Sequence, residues 1–190
     1  MVLSEDKKAL RKTLLAARDA LGPRRRKELS DKMQRLLIQS ELWKNAGSVA
    51  LYVSVKSEAD TRELTETALK EGKSVFLPRC ENRNMVFCRY NGGDGLIASA
   101  FGIPEPAGAS ETLPDDALLI VPCVGLDRCM CRLGMGGGFY DRYFAKRPYG
   151  VKLAYLFDCQ LVGEIPAESH DAVMDLALTE NGFIYPRQNR

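Results

Sequence analysis

Apolar residues recur at helical spacing through the first forty positions of the chain. Over residues 5–21 they stand three to four positions apart, and the pair Gly22-Pro23 follows directly. This pattern predicts a first helix that ends at Gly22-Pro23. A second helix is predicted from about residue 27 to residue 40, with Met33 and Leu37 on its apolar face.

Beyond residue 47 the pattern changes to short apolar runs that alternate with amphipathic stretches. Helices are predicted at 61–70 and 139–146. Strands are predicted at 48–54, 74–77, 85–90, 117–121, 151–157, 172–179 and 182–185, the third of them antiparallel or at an edge. This alternation predicts an α/β protein, a single-domain three-layer sandwich whose mostly parallel sheet is flanked by helices on both faces.

The chain's 190 residues suit one domain. We therefore expect a single domain over 1–190, with N-terminal helices at about 5–40 and an α/β core at about 48–186. Residues 91–115 have no clear period and are rich in Gly, Pro, Ser and Ala. Such a stretch is either a functional loop, such as a lid, or a simple surface excursion.

Composition favours an ordinary cytoplasmic protein. No apolar stretch is long enough to span a bilayer, and the first residues lack the apolar segment of a signal peptide. The six cysteines are expected to be reduced thiols, because a chain of this size does not need disulfides. Cys129 and Cys131 lack the spacing of a zinc knuckle, and His170 is the single histidine.

The charge of the chain is small overall but uneven. The net charge is +2, while residues 1–45 hold 12 Lys and Arg against 6 Asp and Glu. The basic run 24–27 is either a nucleic-acid patch or a solvated helix start, and we favour the helix start because no aromatic residues interleave with it. We expect no nucleic-acid or membrane partner, and a monomer or weak dimer.

The segment 132–142 carries the strongest chemical signal. Gly134, Gly136, Gly137 and Gly138 follow a basic side chain and precede an aromatic pair, a carboxylate and a second arginine. Glycines let main-chain N–H groups approach an anion, and a following helix start adds partial positive charge. Because a predicted strand lies upstream, we favour a polyphosphate cradle over a structural turn. Asp141 adds a carboxylate that can hold a hard metal ion such as magnesium.

The segment 132–142 resembles the signature of the 5-formyltetrahydrofolate cyclo-ligase family, whose members are also called methenyltetrahydrofolate synthetases. Other segments match in the same order: the basic helical motif at 7–11, the strand and loop at 52–58, the Gly-x-x-x-Pro element at 101–106, and His170-Asp171 near the C-terminus. The resemblance covers nearly the whole chain. It implies that ATP and 5-formyltetrahydrofolate are converted to 5,10-methenyltetrahydrofolate, ADP and phosphate, through phosphorylation of the formyl oxygen.

The resemblance also implies roles for individual residues. Arg132 and Tyr140 would be catalytic, and Asp141 and Asp171 would hold Mg²⁺. Reduced folate would contact Val53, Glu58, Met135 and Phe139. ATP would contact Lys7, Arg11, Arg132, Gly134, Met135, Gly136, Gly137, Gly138, Phe139 and Tyr140.

Simpler explanations exist for several of these residues. Lys7 and Arg11 share a helix face that is ordinarily just solvated. Asp141 could serve the helix dipole alone, and Asp171 could be a surface turn residue.

Three positions depart from the family pattern. Phe139 stands where many members have Tyr, Leu126 replaces a common aromatic residue, and Cys129 replaces a frequent glycine. Two other functions compete with the cyclo-ligase reaction, since fold alone does not fix function. One is a non-catalytic folate or nucleotide binder, and the other is an enzyme of the sugar-phosphate isomerase or CoA-transferase kind.

Overall fold

The computed structural model describes residues 2–93, 95–99, 102–147, 150–166, 168–169 and 171–187, with the backbone alone for residues 2–4. The α-helices are α1 (Val2–Ala20), α2 (Gly22–Ile38), α3 (Glu41–Asn45), α4 (Arg62–Lys70) and α5 (Phe139–Lys146), and a 3₁₀ turn covers Asp158–Gln160. No helix within these described ranges has both the length and the apolar character that a membrane crossing needs.

The first helix ends at Ala20, directly before the predicted break at Gly22-Pro23, but the second helix begins at Gly22 and not at about residue 27. Gly22-Pro23 does not separate them by a loop, because α2 begins at Gly22 and Pro23 lies in its first turn. Proline is tolerated there, since its missing N–H would have no partner in the helix. The short α3 was not predicted; the Ser40 hydroxyl caps it by accepting a hydrogen bond from the Trp43 N–H at 3.2 Å.

The strands form one large sheet and two small ones. Their bounds are β1 (Ser48–Ala50), β2 (Ser74–Glu81), β3 (Asn84–Arg89), β4 (Leu96–Ala98), β5 (Pro104–Pro106), β6 (Ser110–Glu111), β7 (Leu118–Pro122), β8 (Gly125–Leu126), β9 (Arg132–Leu133), β10 (Val151–Tyr155), β11 (Leu176–Thr179) and β12 (Gly182–Ile184). The large sheet has the order β12-β11-β10-β7-β1-β2-β3-β6. Its five strands from β11 to β2 are parallel, while β12 and β3 run antiparallel to their neighbours.

Helices cover both faces of this sheet, which confirms the predicted α/β class and its layers. Successive strand residues point to opposite faces. On one face Val49, Leu118 and Ile120 pack in a cluster with Trp43 of α3 and Leu64 of α4. On the other face the neighbouring strand residues pack with Phe144 of α5; they include Ala50, Leu119 and Val121.

The strand order reverses between β1 and β7, and this reversal positions the site. β2 lies on the far side of β1, and β10 lies on the far side of β7. Chain segments therefore leave the carboxyl ends of β1 and β7 in different directions and open a crevice between them, the usual ligand position in sheets of this kind. Residues 51–61 and 123–138 line that crevice.

β1 is shorter than predicted because the chain after it bonds to itself. The Leu51 N–H donates to the Phe76 carbonyl at 2.9 Å, which is the last ladder contact. Beyond it, the Tyr52 hydroxyl donates to the Ala59 carbonyl at 2.6 Å, and the Thr61 hydroxyl donates to the Tyr52 carbonyl at 2.6 Å. These bonds close residues 52–61 into an ordered loop at the edge of the crevice.

The described part of residues 91–115 is more ordered than the pattern predicted. β4 and β5 pair as an antiparallel ribbon, and β6 adds to the edge of the large sheet beside β3. Ile97 in β4 is 56% exposed, so this ribbon contributes surface rather than core.

Gln160 should be a strong determinant of stability, because its buried side chain ties its own turn to the segment after β7. It accepts a hydrogen bond from the Phe157 N–H at 3.1 Å and donates to the carbonyls of Cys123 and Val124 at 2.8 and 2.9 Å. We expect Gln160→Ala to lower the free energy of unfolding by about 3 kcal/mol, because buried polar groups lose their partners. Urea denaturation followed by circular dichroism measures this change. The exposed Gln39 is the matched control, and an equal loss in Gln39→Ala would contradict the assignment.

Candidate active site

Helix α1 brings two predicted phosphate ligands to the crevice. Lys7 is 5% exposed, and its ammonium group donates to Glu168 Oε2 at 2.7 Å and to Asp171 Oδ2 at 2.6 Å. Burial by itself would lower the pKa of Lys7, but the hydrogen bonds to Asp171 and Glu168 raise it above its ordinary value. Arg11, one turn later, donates from Nε to the Gly134 carbonyl at 2.8 Å. Neither side chain is therefore a merely solvated helix face.

The glycine-rich loop runs from β9 to the start of α5. Gly136 and Gly138 have φ values of 97° and 65°, a backbone conformation that other residues rarely adopt. The Arg11 guanidinium carbon lies 3.5 Å from the place where a Cβ on Gly136 would stand. At Gly134, a Cβ would come within 2.7 Å of Arg132 Nη1. The loop thus needs glycine at 136 and 138 for the backbone angle, and at 134 for the close approach of Arg132.

Arg132 is the charged centre of the site. It is 6% exposed, and its Nη2 contacts the two Asp141 carboxylate oxygens at 3.2 and 3.3 Å, while Nη1 donates to the Pro122 carbonyl at 3.2 Å. Its guanidinium carbon lies 5.2 Å from the centre of the Tyr140 ring. Within the described residues, Arg132 Nε is buried without a hydrogen-bond partner. Most buried donors have a hydrogen-bond partner, so the unpaired Arg132 Nε is an exception.

The two predicted metal ligands meet in the same region. Asp141 Oδ1 accepts a hydrogen bond from the Ala172 N–H at 3.1 Å, and Ala172 directly follows Asp171 in the chain. Asp171 Oδ2 also accepts from the Glu168 N–H at 2.7 Å, besides the bond from Lys7. His170 lies outside the described residues. In the described part of the chain, no three His, Cys, Asp or Glu side chains gather as a metal site.

The loop after β1 supplies the other side of the crevice. Glu58 is half-buried, and its Oε2 accepts a hydrogen bond from the Val55 N–H at 3.0 Å. Burial raises the pKa of Glu58, and the Val55 N–H, Arg18 and Lys56 oppose that rise. Val53 is also half-buried, but it packs against the core cluster on the α2–α4 face.

Tyr140 links the two sides of the crevice. Burial raises the pKa of its hydroxyl far above the ordinary value, although the Arg132 charge opposes this, and the Glu58 carboxylate raises it further. At neutral pH the Tyr140 hydroxyl is therefore a neutral hydrogen-bond donor. Phe139 stacks under the Arg142 guanidinium, whose carbon lies 5.2 Å from the ring centre. Met135, at 61% exposed, forms the outer rim of the glycine-rich loop.

Sequence reasoning missed three residues that hold the site in place. Asp127 is buried and accepts hydrogen bonds from the N–H groups of Cys129, Cys131 and Ile165 at 2.8, 2.9 and 3.0 Å. Gln160 fixes the chain after β7, as described above. Arg18, also buried, donates from Nε to the Ser57 hydroxyl at 3.0 Å. The role of Asp127 could have been recognised from the local sequence, because an Asp often begins a turn by accepting hydrogen bonds from the following N–H groups. The partners of Gln160 and Arg18 are too distant in sequence to predict.

The structure accommodates two of the departures from the family pattern. The left-handed residue in the turn after Asp127 is Met130, with a φ of 62°, so Cys129 does not need to be glycine. Leu126 is 1% exposed and packs in the core on the α5 face.

The glycine-rich loop, the buried arginines and the carboxylates paired with cations lie where the strand order reverses between β1 and β7. This arrangement defines an α/β protein whose crevice is suited to an anion. Comparison with known proteins gives the family. The 5-formyltetrahydrofolate cyclo-ligase family matches residues 3–180, and the chain belongs to that family. Its members are ligases, so the chain is an enzyme.

Named relatives are similar to this chain in sequence or structure over most of its length. The 5-formyltetrahydrofolate cyclo-ligase of Escherichia coli is 33% identical over 174 residues, which cover 85% of this chain and 93% of that protein. The probable 5-formyltetrahydrofolate cyclo-ligase of Schizosaccharomyces pombe is 33% identical over 161 residues, covering 75% and 79%. The solved 5,10-methenyltetrahydrofolate synthetase of Aquifex aeolicus superposes with a TM-score of 0.85 at 33% identity, covering 97% of this chain and 94% of that one.

The cysteines near the site are poor nucleophiles. All six cysteines of the chain are free thiols, as predicted. Burial raises the pKa of Cys123, behind Arg132, to about 12, and burial with the nearby Glu105 raises that of Cys80 to about 11. Since the thiolate is the reactive form, neither group is suited to covalent catalysis.

We therefore expect Cys129, which is exposed, to react first with iodoacetamide at about pH 8, and Cys123 to react only after unfolding. Peptide mass spectrometry at successive times measures each rate. Cys129→Ser is the control that removes the fast-reacting thiol. Equal labelling of Cys123 and Cys129 in the native protein would contradict the burial of the site.

Proposed function

We propose that this enzyme catalyses the ATP- and Mg²⁺-dependent cyclisation of 5-formyltetrahydrofolate to 5,10-methenyltetrahydrofolate, with release of ADP and phosphate. The observation that carries the proposal is the buried Arg132 at the base of the glycine-rich loop, with its contacts to Asp141 and Tyr140. A cation in this position suits the transfer of a phosphoryl group. The names of the relatives supply the substrate.

The reaction requires activation of an unreactive amide. The formyl carbon on N5 is a poor electrophile, and its oxygen is a poor leaving group. Transfer of the γ-phosphoryl group to the formyl oxygen breaks the bond to ADP and forms a phosphate ester at that carbon. N10 then attacks the carbon, its proton is lost to solvent, and the C–O bond breaks to release phosphate. No protein nucleophile is needed, which agrees with the high pKa of Cys123.

The triphosphate would lie along the glycine-rich loop. Gly134, Gly136, Gly137 and Gly138 carry no side chain that could cover the loop backbone, which is exposed at Gly136 and Gly137. Arg11 brings positive charge to this loop, and Lys7 lies one turn before Arg11 with its two carboxylate partners. Met135, Phe139 and Tyr140 would border the nucleotide. Arg132 would neutralise the charge that spreads over the γ-phosphoryl oxygens during transfer.

The two carboxylates fit a magnesium ion that arrives with the nucleotide. Asp141 accepts a hydrogen bond from Ala172, the residue after Asp171, and each carboxylate contacts a cation, Arg132 or Lys7. Magnesium needs one or two protein carboxylates when phosphates and water supply its other ligands. Asp141 and Asp171 would hold the ion, whose charge would neutralise and orient the β- and γ-phosphates.

The reduced folate would occupy the side of the crevice formed by the loop after β1. The Glu58 carboxylate is an acceptor that suits the ring N–H and amino donors of the pterin. Val53, Met135 and Phe139 would supply apolar contact around it. The neutral Tyr140 hydroxyl, between Glu58 and Arg132, would donate a hydrogen bond to the reacting centre.

We further propose that the enzyme is cytoplasmic, acts as a monomer or weak dimer, and binds these small molecules without nucleic acid. The basic run at the start of α2 supports the last point. Arg24 and Arg25 pair with Glu28, and Lys27 pairs with Asp31, all near the solvent. Such internal pairing lowers the charge available to phosphates of nucleic acid.

The decisive test is an absorbance assay at the methenyl-folate band. Protein mixed with Mg-ATP and 5-formyltetrahydrofolate should give a steady rise, with ADP and phosphate released in equal amounts. Omission of ATP, or addition of EDTA, should abolish it. A flat trace from folded protein that binds both ligands would favour the non-catalytic binder instead.

Gly134→Ala tests the contact between the loop and Arg132. The new methyl group would stand 2.7 Å from Arg132 Nη1 and displace the guanidinium. We expect kcat/KM for Mg-ATP to fall about 100-fold, the usual effect of misplacing a catalytic group by about an ångström. Gly163→Ala is the matched control, because no atom lies within 4 Å of its Cβ position. Wild-type kinetics in Gly134→Ala, with a normal melting temperature, would contradict the role of Arg132.

A further inference from the structure

One face of α1 contacts both sides of the crevice. Lys7, Arg11, Leu14 and Arg18 follow each other at spacings of four, three and four residues, so they lie on the same side of the helix. Lys7 and Arg11 contact the nucleotide side, as described above. Leu14 packs with Val124, Leu133 and Ile165 between the two sides. Arg18 lies about 16 Å further along the axis than Lys7, at the side formed by the loop after β1.

Arg18 is a buried cation that donates a hydrogen bond to that loop. It is 4% exposed, and its Nε donates to the Ser57 hydroxyl at 3.0 Å. Ser57 is itself buried and directly precedes Glu58. A long side chain held in this way restricts both the backbone of the loop and the direction of the next residue.

Arg18 also acts on the charge of Glu58. Burial favours the neutral acid at Glu58, whereas the Arg18 guanidinium favours the carboxylate. The other charged or titratable groups that face Glu58 come from its own loop and from the ends of β1, β7 and the start of α5: they are Lys56, Tyr52, Cys123 and Tyr140. Lys56 is exposed, so Arg18 is the buried cation among these groups.

We propose that Arg18 is a positioning residue for the reduced folate, which fixes the Ser57-Glu58 segment so that the Glu58 carboxylate can accept the pterin N–H groups. The proposal rests on the proposed function and assigns a role within it. Because Arg18 belongs to the same rigid helix as Lys7 and Arg11, it also holds the folate side in a fixed position relative to the phosphate side.

Three variants separate the charge of Arg18 from its hydrogen bond. Arg18→Met keeps the apolar stem and removes both; Arg18→Lys keeps the charge; Ser57→Ala removes the hydrogen bond and leaves the charge. In Arg18→Met we expect the KM for 5-formyltetrahydrofolate to rise about tenfold, the effect of weakening one charge-assisted hydrogen bond. The KM for Mg-ATP should stay within about twofold of the wild-type value.

The pH profile distinguishes positioning from simple support of the fold. Loss of the Arg18 charge raises the pKa of Glu58, so the acidic limb of kcat/KM for folate should move to higher pH in Arg18→Met. Arg18→Lys and Ser57→Ala should keep the wild-type limb, and Arg18→Lys should recover most of the folate affinity. The exposed Arg24 is the matched control, and Arg24→Met should match the wild type throughout.

Each outcome of this experiment is decisive. The proposal is overturned if Arg18→Met keeps the wild-type folate KM and pH profile. It is also overturned if both KM values rise together with a falling melting temperature and an unmoved profile, because that result describes a structural residue. The proposed function fails separately, if the wild-type protein itself forms no methenyl product.

Discussion

The buried ion pair between Arg132 and Asp141 determines the local structure of the site. Two charges can be kept from water only if their geometry and remaining hydrogen bonds compensate the cost of desolvation. Asp141 meets this condition through the Ala172 N–H, and Arg132 meets it in part through the Pro122 carbonyl and the Tyr140 ring. The Arg132 Nε stays buried without a partner, so the desolvation of the pair is compensated only in part.

The glycines follow from this pair. Arg132 begins the two-residue strand β9 and Asp141 lies in the first turn of α5, so the loop between them must reverse within a few residues. Gly136 and Gly138 make that reversal with left-handed backbone angles, and Gly134 leaves space for the Arg132 guanidinium itself. The loop is therefore shaped by the charge pair beneath it as much as by the anion that it is suited to bind.

The sequence predicted well those features that depend on neighbours in the chain. The strand-loop-helix arrangement around 132–142 was predictable because buried runs, glycines and a helix start all lie within about 25 residues of one another. Predictions from the local sequence failed where contacts with residues distant in the chain determine the structure. β1 ends at Ala50 because its continuation bonds to residues 59 and 61, and Lys7 is buried because Glu168 and Asp171 fold back onto it.

The same reasoning explains why α1 matters more than its simple amphipathic pattern indicates. The face that it turns to the protein carries three cations, Lys7, Arg11 and Arg18, among its apolar residues. Such a combination would be costly for an ordinary packing helix. That cost is offset only because Lys7 meets two carboxylates, Arg11 a carbonyl of the glycine-rich loop, and Arg18 the hydroxyl beside Glu58. A helix fixed at three polar points across one crevice cannot shift at one end without disturbing the other. The separation between the glycine-rich loop and the loop after β1 is thus set by the rigid rise of α1, and the proposed transfer between bound substrates would require such a fixed separation.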